Sequence, residues 1–177
     1  MLTFVQKRDD FHTYFLALLQ VHDSTFACDV LERRELVLGL ARETRERVTG
    51  NPVRYASILD IGQTVADIDL EGDDDVLDYT GHRFEVRVFW DVAWASTYAL
   101  SSQKLFEEMA YNASGDLKPG ILQSIRENRQ RSVSSDVYQF GLPSQDAVID
   151  VERGLWDFGD IGQPELSHYL KFEIILV

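Results

Sequence analysis

The stretch His82-Arg-Phe-Glu-Val-Arg-Val-Phe-Trp-Asp-Val92 lies near the middle of the chain and decides its fold class. From Phe84 onwards the even-numbered positions are apolar, whereas the odd-numbered positions are charged apart from Phe89. A period of two is typical of a β-strand with one face buried and the other in solvent. The stretch therefore predicts a half-buried strand beside which the neighbouring segments can pair.

Segments on the N-terminal side of this strand predict two helices and an interrupted strand. Apolar residues spaced three and four apart indicate a helix over residues 11–22. Asp29 with Glu32 three residues later has the spacing of a capping box, which predicts a second helix over residues 29–48. The next segments are expected to form strands over residues 53–61 and 64–70, separated at Gly62.

Segments on the C-terminal side predict two more helices, followed by two strands. The first of these helices is expected to begin at Ser96 or Thr97. The second is expected to span residues 121–131, with Arg126, Arg129 and Arg131 in its last turn. The remaining expectations are a loop over residues 132–135, a strand over 147–152 and 155–158 split near Gly154, and a final strand over 169–177.

The order of these segments predicts an α+β fold, with a mostly antiparallel sheet, helices packed on one face and an N-terminal helical extension. A chain of 177 residues has the length of one domain. We expect a single domain over residues 1–177, with a helical section over 1–50 and an α+β core over 53–177.

Composition narrows the classes of function. The formal net charge is −13 and the pI is near 4.6, so the chain lacks the surplus of Lys and Arg that coats nucleic acid or docks on anionic membranes. Cys28 is the one cysteine and excludes an intrachain disulfide. No secretory signal or membrane-length apolar run is apparent, and a product made in the cytoplasm without a membrane partner is expected.

Catalytic and cofactor motifs are missing from the sequence. The four histidines do not pair at metal-ligand spacing, and no nucleophile, base and orienting group can be assembled. Cys28 lacks the local sequence of a thiol enzyme and predicts a small buried residue. We therefore expect a protein that is not an enzyme and has no cofactor.

One acidic segment partly matches a calcium loop. Its candidate oxygen ligands are Asp67, Asp69, Glu71 and Asp78, with Gly72 at the sixth position. The last ligand is Asp where the motif has Glu, an acid replaces the apolar eighth residue, and the flanks have strand patterns. A solvated acidic loop is favoured, and an acidic ligand- or calcium-binding α+β module remains the alternative.

Two aromatic residues suggest a protein–protein surface. Phe89 falls on the otherwise polar face of its strand, and Trp94 follows just after that strand. Large exposed aromatic side chains are enriched at protein interfaces, so these two residues are candidates for contacts with another subunit.

The layout of residues 29–177 resembles the tail terminator proteins of tailed bacteriophages and, more broadly, their small neck and tail-completion proteins. The resemblance lies in the order of segments: a strand such as 82–92 that leads into a helix, a Trp-bearing strand such as 154–158, and a closing strand such as 169–177.

This resemblance implies a virion structural protein of the neck or tail, assembled in the host bacterial cytoplasm. It implies a homo-oligomeric ring, usually a hexamer, that caps the tail tube and joins it to the head beside connector or stopper proteins. DNA would pass transiently and without sequence specificity through an acidic lumen. Subunit contacts are then expected at Phe89, Trp94 and Phe172, and a loop facing the lumen or a neighbouring ring at Asp73, Asp74 and Asp75.

Overall fold

The computed structural model describes residues 1–31, 54–69, 76–91, 120–142, 145–157 and 166–177, and these residues adopt an α+β fold. Five strands form a mostly antiparallel sheet in the order β1-β2-β3-β7-β6, and β4 pairs with β5 in a second sheet. The predicted fold class is confirmed. The elements are α1 (Phe4–His22), β1 (Ala27–Leu31), β2 (Arg54–Asp69), β3 (Val76–Asp91), α2 (Ile121–Glu127), β4 (Gln130–Val133), β5 (Asp136–Gln139), β6 (Val148–Asp157) and β7 (Leu166–Leu176).

The core lies between one face of the five-stranded sheet and the two helices. Apolar residues at alternate positions of β2, β3 and β7 point to this face, as the period of two requires. The helices close it with side chains that have little or no exposed area. The core includes Phe11, Phe15 and Leu19 from α1, Ile121, Leu122 and Ile125 from α2, Ala56 and Ile58 from β2, Phe84, Val86 and Val88 from β3, and Leu170, Phe172 and Ile174 from β7.

Strand β2 is buried on both faces over residues 55–59. Ala56 and Ile58 face the core, whereas Tyr55, Ser57 and Leu59 alternate with them and are also buried. A continuous buried run is typical of a strand covered on both sides, which explains why this segment lacks the clean alternation of β3.

Helix α1 begins at Phe4, seven residues before the predicted start. Thr3 caps it, because its hydroxyl accepts a hydrogen bond from the Gln6 backbone N–H while the Gln6 side chain accepts one from the Thr3 backbone N–H. This capping box satisfies two donors that a helix otherwise leaves without partners. The Thr3-x-x-Gln6 spacing was the sequence signal for the earlier start.

The prediction that Asp29 starts a helix is wrong. Asp29 lies in β1, which pairs in parallel with residues 55–59 of β2. The partner strand comes more than twenty residues later, so this pairing overrides a local capping pattern. The rest of the predicted helix, residues 32–48, lies outside the described residues. So do residues 92–119, which include the helix expected to begin at Ser96 or Thr97.

Helix α2 ends at Glu127 instead of residue 131. Its C-cap Asn128 donates its side-chain amide to the Ser124 carbonyl at 2.9 Å, which stops the helix. Arg129 and Arg131 therefore lie beyond the helix, and residues 132–135, expected to be a loop, contribute to strand β4 and a tight turn into β5. The sequence pattern missed β4 and β5 because each has only four residues.

Strand β6 is one strand with an irregular register between Ile149 and Glu152, instead of two segments split at Gly154. Asp150 has φ of 51° at this irregularity, as in a β-bulge. Gly154 has another use: a Cβ there would lie 3.1 Å from the Tyr169 ring on β7, so glycine makes room for that ring. The break predicted at Gly62 is a second bulge, at which β2 continues with Gly62 at φ of 117°.

Candidate functional site

The longest feature of the sheet is the β2–β3 hairpin. β3 pairs with β7 only from His82 to Asp91, and β2 pairs with β1 only over residues 55–59. Residues 63–69 of β2 and 76–82 of β3 continue the ladder between these two strands. Beyond the pair formed by Gln63 and His82, towards Asp69 and Val76, the described residues include no third strand. We call these two segments the β2–β3 arm; at about 3.3 Å per residue it is roughly 20 Å long.

Three of the four calcium-ligand candidates, Asp67, Asp69 and Asp78, lie in the arm. Asp67 and Asp69 belong to the extended strand β2, and Asp67 pairs across the ladder with Asp78 of β3. A calcium loop needs one curved segment that wraps its ligands around the ion. Glu71 lies outside the described residues, and those residues contain no group of three acidic, His or Cys side chains placed to hold a metal ion.

Residues 63–82, which include both segments of the arm, hold the largest local concentration of negative charge in the chain. Residues 63–82 contain seven acidic residues and neither Lys nor Arg. Asp73, Asp74 and Asp75, expected to face a lumen or a neighbouring ring, belong to this segment and lie outside the described residues.

Phe172 lies in the core of the chain, which corrects its expected role as a subunit contact. Its strand β7 is interior, paired with β3 on one side and β6 on the other. The Phe172 side chain has no exposed area and meets the Phe15 ring edge to face, with 6.0 Å between the ring centroids. A side chain already buried in one chain has no surface left for a second.

Phe89 is placed in the same way, with 2% of its area exposed. It lies opposite Tyr55 of β2 and Tyr169 of β7, and its ring centroid is 6.5 Å from that of Tyr169. The position of Phe89 on the face opposite the core was read correctly, but its exposure was not. Trp94, the other predicted contact, lies outside the described residues.

Opposite the core, β3 and β7 carry a row of charged side chains that we call the charged face: Arg83, Glu85, Arg87, Lys171 and Glu173. Glu85 lies directly opposite Glu173, and Arg87 opposite Lys171. Such like-charged pairs are unfavourable on their own. Each is offset by an ion pair with a neighbour, namely Arg83–Glu173, Arg87–Glu85 at 2.5 Å and Lys171–Glu152 at 3.0 Å.

The ion pairs leave the charged face nearly neutral. The hydrogen bond with Glu152 raises the pKa of Lys171 above its usual range, although burial opposes this rise. Asp150 at the β6 bulge adds a further contact to Arg83 at 3.4 Å. Because its cations are paired within the chain, the charged face presents no surplus that would attract phosphate groups.

A second polar cluster joins α1 to the small sheet. Asp10 of α1 accepts hydrogen bonds from Arg131 Nε at 3.1 Å and from the Tyr138 hydroxyl at 2.7 Å. The Arg131 guanidinium lies over the Tyr14 ring, 4.3 Å from its centroid. Burial and the Asp10 carboxylate raise the pKa of Tyr138, which therefore remains a hydrogen-bond donor. Sequence reasoning missed this cluster because its members lie more than a hundred residues apart.

Arg129 also has a structural task. Its guanidinium donates to the carbonyl oxygens of Phe140, Leu142 and Gln145 at 3.1, 2.7 and 2.8 Å. These contacts hold the turn between β5 and β6, at which Gly141 adopts φ of 75°. The described arginines near α2 are thus engaged within the chain.

Cys28 is buried, as expected, and burial raises the pKa of its thiol far above the usual range. A thiol that stays protonated is a poor nucleophile. The backbone carbonyl of Cys28 lies 2.7 Å from His12 Nε2, which ties β1 to α1. This arrangement stabilises the fold, and among the described residues it does not place the Cys28 thiol beside a group that would activate it.

Comparison of the chain with protein-family models and with curated proteins finds no match. No helix in the described part of the chain is long and apolar enough to cross a membrane. Among the described residues the site is therefore characterised by its geometry: an acidic arm of two strands, a charged face whose cations are paired within the chain, and an interior closing strand.

Proposed function

We propose that the chain is a non-enzymatic structural protein of a phage neck or tail. Its copies form a ring that caps the tail tube and joins it to the head, next to connector or stopper proteins, with DNA passing through an acidic lumen. The proposed location is the virion, after assembly in the host bacterial cytoplasm. The observation that carries the proposal is the β2–β3 arm.

The arm supports assembly because no third strand lies beside it in the part of the chain that the structure describes. A two-stranded hairpin is marginally stable in water, and a third strand or a covering surface stabilises it. The register pairs Ala66 with Tyr79 and Ile68 with Leu77, so uncharged residues are register partners in the arm. A neighbouring subunit would cover these residues in a head-to-tail contact that closes into a ring.

The two C-terminal strands of the sheet, β7 and β6, are less suited to such contacts. β7 has no free edge, and the outer strand β6 carries a bulge at Asp150 and exposed charges at Glu152 and Arg153. Bulges and charged residues are the usual means by which an edge strand resists pairing with another chain. This contrast favours the arm over β6 and β7 as the joint between subunits.

The charge distribution supports the passage of DNA. Of the net charge of −13, seven negative charges without a compensating cation fall within residues 63–82. A surface of this kind repels phosphates and lets DNA slide without binding. The basic side chains of the charged face are neutralised by their neighbours.

Native mass spectrometry of the purified protein, with negative-stain imaging, tests the proposal. We expect a ring of several 20.3-kDa copies. A double substitution in the arm, Ile68→Lys with Leu77→Lys, should shift the mass to that of the monomer because each copy places two charges in the contact.

The matched control is Val137→Lys, at a residue of β5 that is 59% exposed and far in sequence from the arm. It should leave the ring intact. A wild-type protein that stays monomeric at every concentration, including in the presence of tail tubes, would contradict the ring. Rings that survive the double substitution would instead exclude the arm as the joint.

A further inference from the structure

His82 occupies the point at which the arm leaves the sheet. It is the first residue of β3 that pairs on both sides, with Gln63 of β2 and with Leu176 of β7. Its imidazole stacks on the Phe4 ring of α1, with 3.7 Å between ring centroids, and Phe4 also stacks on Phe84. The first turn of α1 therefore rests on the base of the arm through a stack of three rings.

The contact between His82 and Gln63 suits a neutral imidazole. His82 Nε2 lies 3.3 Å from the Gln63 side-chain nitrogen. A neutral ring can accept a hydrogen bond from that amide through this nitrogen, whereas a protonated ring has a hydrogen on both nitrogens and can only donate. Protonation would thus set two donors against each other.

Two of the three elements beside His82, β2 and α1, bring charged groups near it. Burial lowers the pKa of His82, Asp60 of β2 opposes this effect, and Lys7 of α1 adds to it; the net direction is downward. The register partner on β7, Leu176, carries no charge. The packing around His82 therefore disfavours protonation of its imidazole.

We propose that His82 is an acid-sensitive joint, in which protonation of its imidazole loosens the first turn of α1 from the base of the β2–β3 arm. Because the folded state holds the pKa below the ordinary value of 6.5, the stabilising contact is fully present above that pH. It is lost progressively as the pH falls through the pKa of the folded state. This joint does not depend on ring assembly.

Hydrogen–deuterium exchange of the N-terminal peptide, measured by mass spectrometry, tests the joint. After correction for the intrinsic effect of pH, exchange in α1 should be severalfold faster at about pH 5.5 than at about pH 7.5. His82→Phe keeps a ring for the stack and should abolish this difference. Equal exchange at both pH values, or the same difference in His82→Phe, would overturn the proposal.

A second measurement does not require the His82 variant to fold. Exchange of the imidazole Cε1 hydrogen, also followed by mass spectrometry, reports the pKa of His82 in the wild-type protein. We expect a midpoint below 6.5, and a higher one in Gln63→Glu, whose carboxylate accepts from a protonated ring. A wild-type midpoint at or above 6.5, or no rise in Gln63→Glu, would contradict the proposal.

Discussion

At the scale of residues, the described part of the chain holds two residues other than glycine at positive φ. Ser134 has φ of 57° in the turn between β4 and β5, and Asp150 has φ of 51° in the β6 bulge. A side chain in this left-handed region costs about 1–2 kcal/mol. The bulge places Asp150 beside Arg83.

We expect Ser134→Gly to raise the free energy of unfolding by about 0.5–1 kcal/mol, because glycine adopts positive φ without strain. Urea denaturation followed by circular dichroism measures the change. The matched control is Ser135→Gly at the next turn residue, which does not have positive φ and should lose about 0.5–1 kcal/mol. Destabilisation by both substitutions would show that the strain at Ser134 is unimportant.

At the scale of elements, β7 organises the sheet. It lies between β3 and β6, and Val177 just beyond its end exchanges two backbone hydrogen bonds with Gln139 of β5, at 3.0 and 3.2 Å. The strand thus joins the large sheet to the small one. Its core-facing residues should contribute more to stability than those of the short strands.

We expect Phe172→Ala to lower the free energy of unfolding by about 3–5 kcal/mol, since it leaves a cavity beside Phe15 that the packed core cannot fill. Thermal and urea unfolding of the variant measure this loss. Val137→Ala, at an exposed residue of β5, should change stability by less than about 0.5 kcal/mol. A small effect of Phe172→Ala would contradict its placement in the core.

At the scale of the whole molecule, the charges are arranged unevenly. The cations of the charged face and of the Asp10 cluster are paired within the chain, whereas residues 63–82 contain seven acidic residues and neither Lys nor Arg. We expect repulsion among these acids, which include the register partners Asp67 and Asp78, to oppose folding at neutral pH.

Raising NaCl from about 20 mM to about 300 mM should therefore increase the thermal unfolding midpoint by a few degrees, because salt screens this repulsion. Differential scanning calorimetry measures the shift. In Asp67→Asn with Asp78→Asn the increase should be smaller, since part of the repulsion is already removed. A midpoint that falls with added salt would mean that the ion pairs outweigh the repulsion.

The strongly periodic elements could be predicted, and the weakly periodic ones could not. The alternation after Phe84 identified β3 and its buried face, and the spacing of Phe11 and Phe15 identified α1. Asp29 was mistaken for the start of a helix because the five residues of β1 are too few to show a strand periodicity of their own. The exposure of Phe89 and Phe172 was misjudged because it depends on which strands lie beside them.

By itself, the sequence determined the α+β class, the face of β3 that enters the core and the concentration of acids near Asp67. These properties follow from local periodicity and composition, which do not depend on the segments that pair with a strand. Only the tertiary structure decided that β7 is an interior strand, that β2 and β3 extend past it as an arm, and that His82 lies at the base of that arm. Strand order and register depend on pairings between distant segments, and a local pattern does not specify its partner.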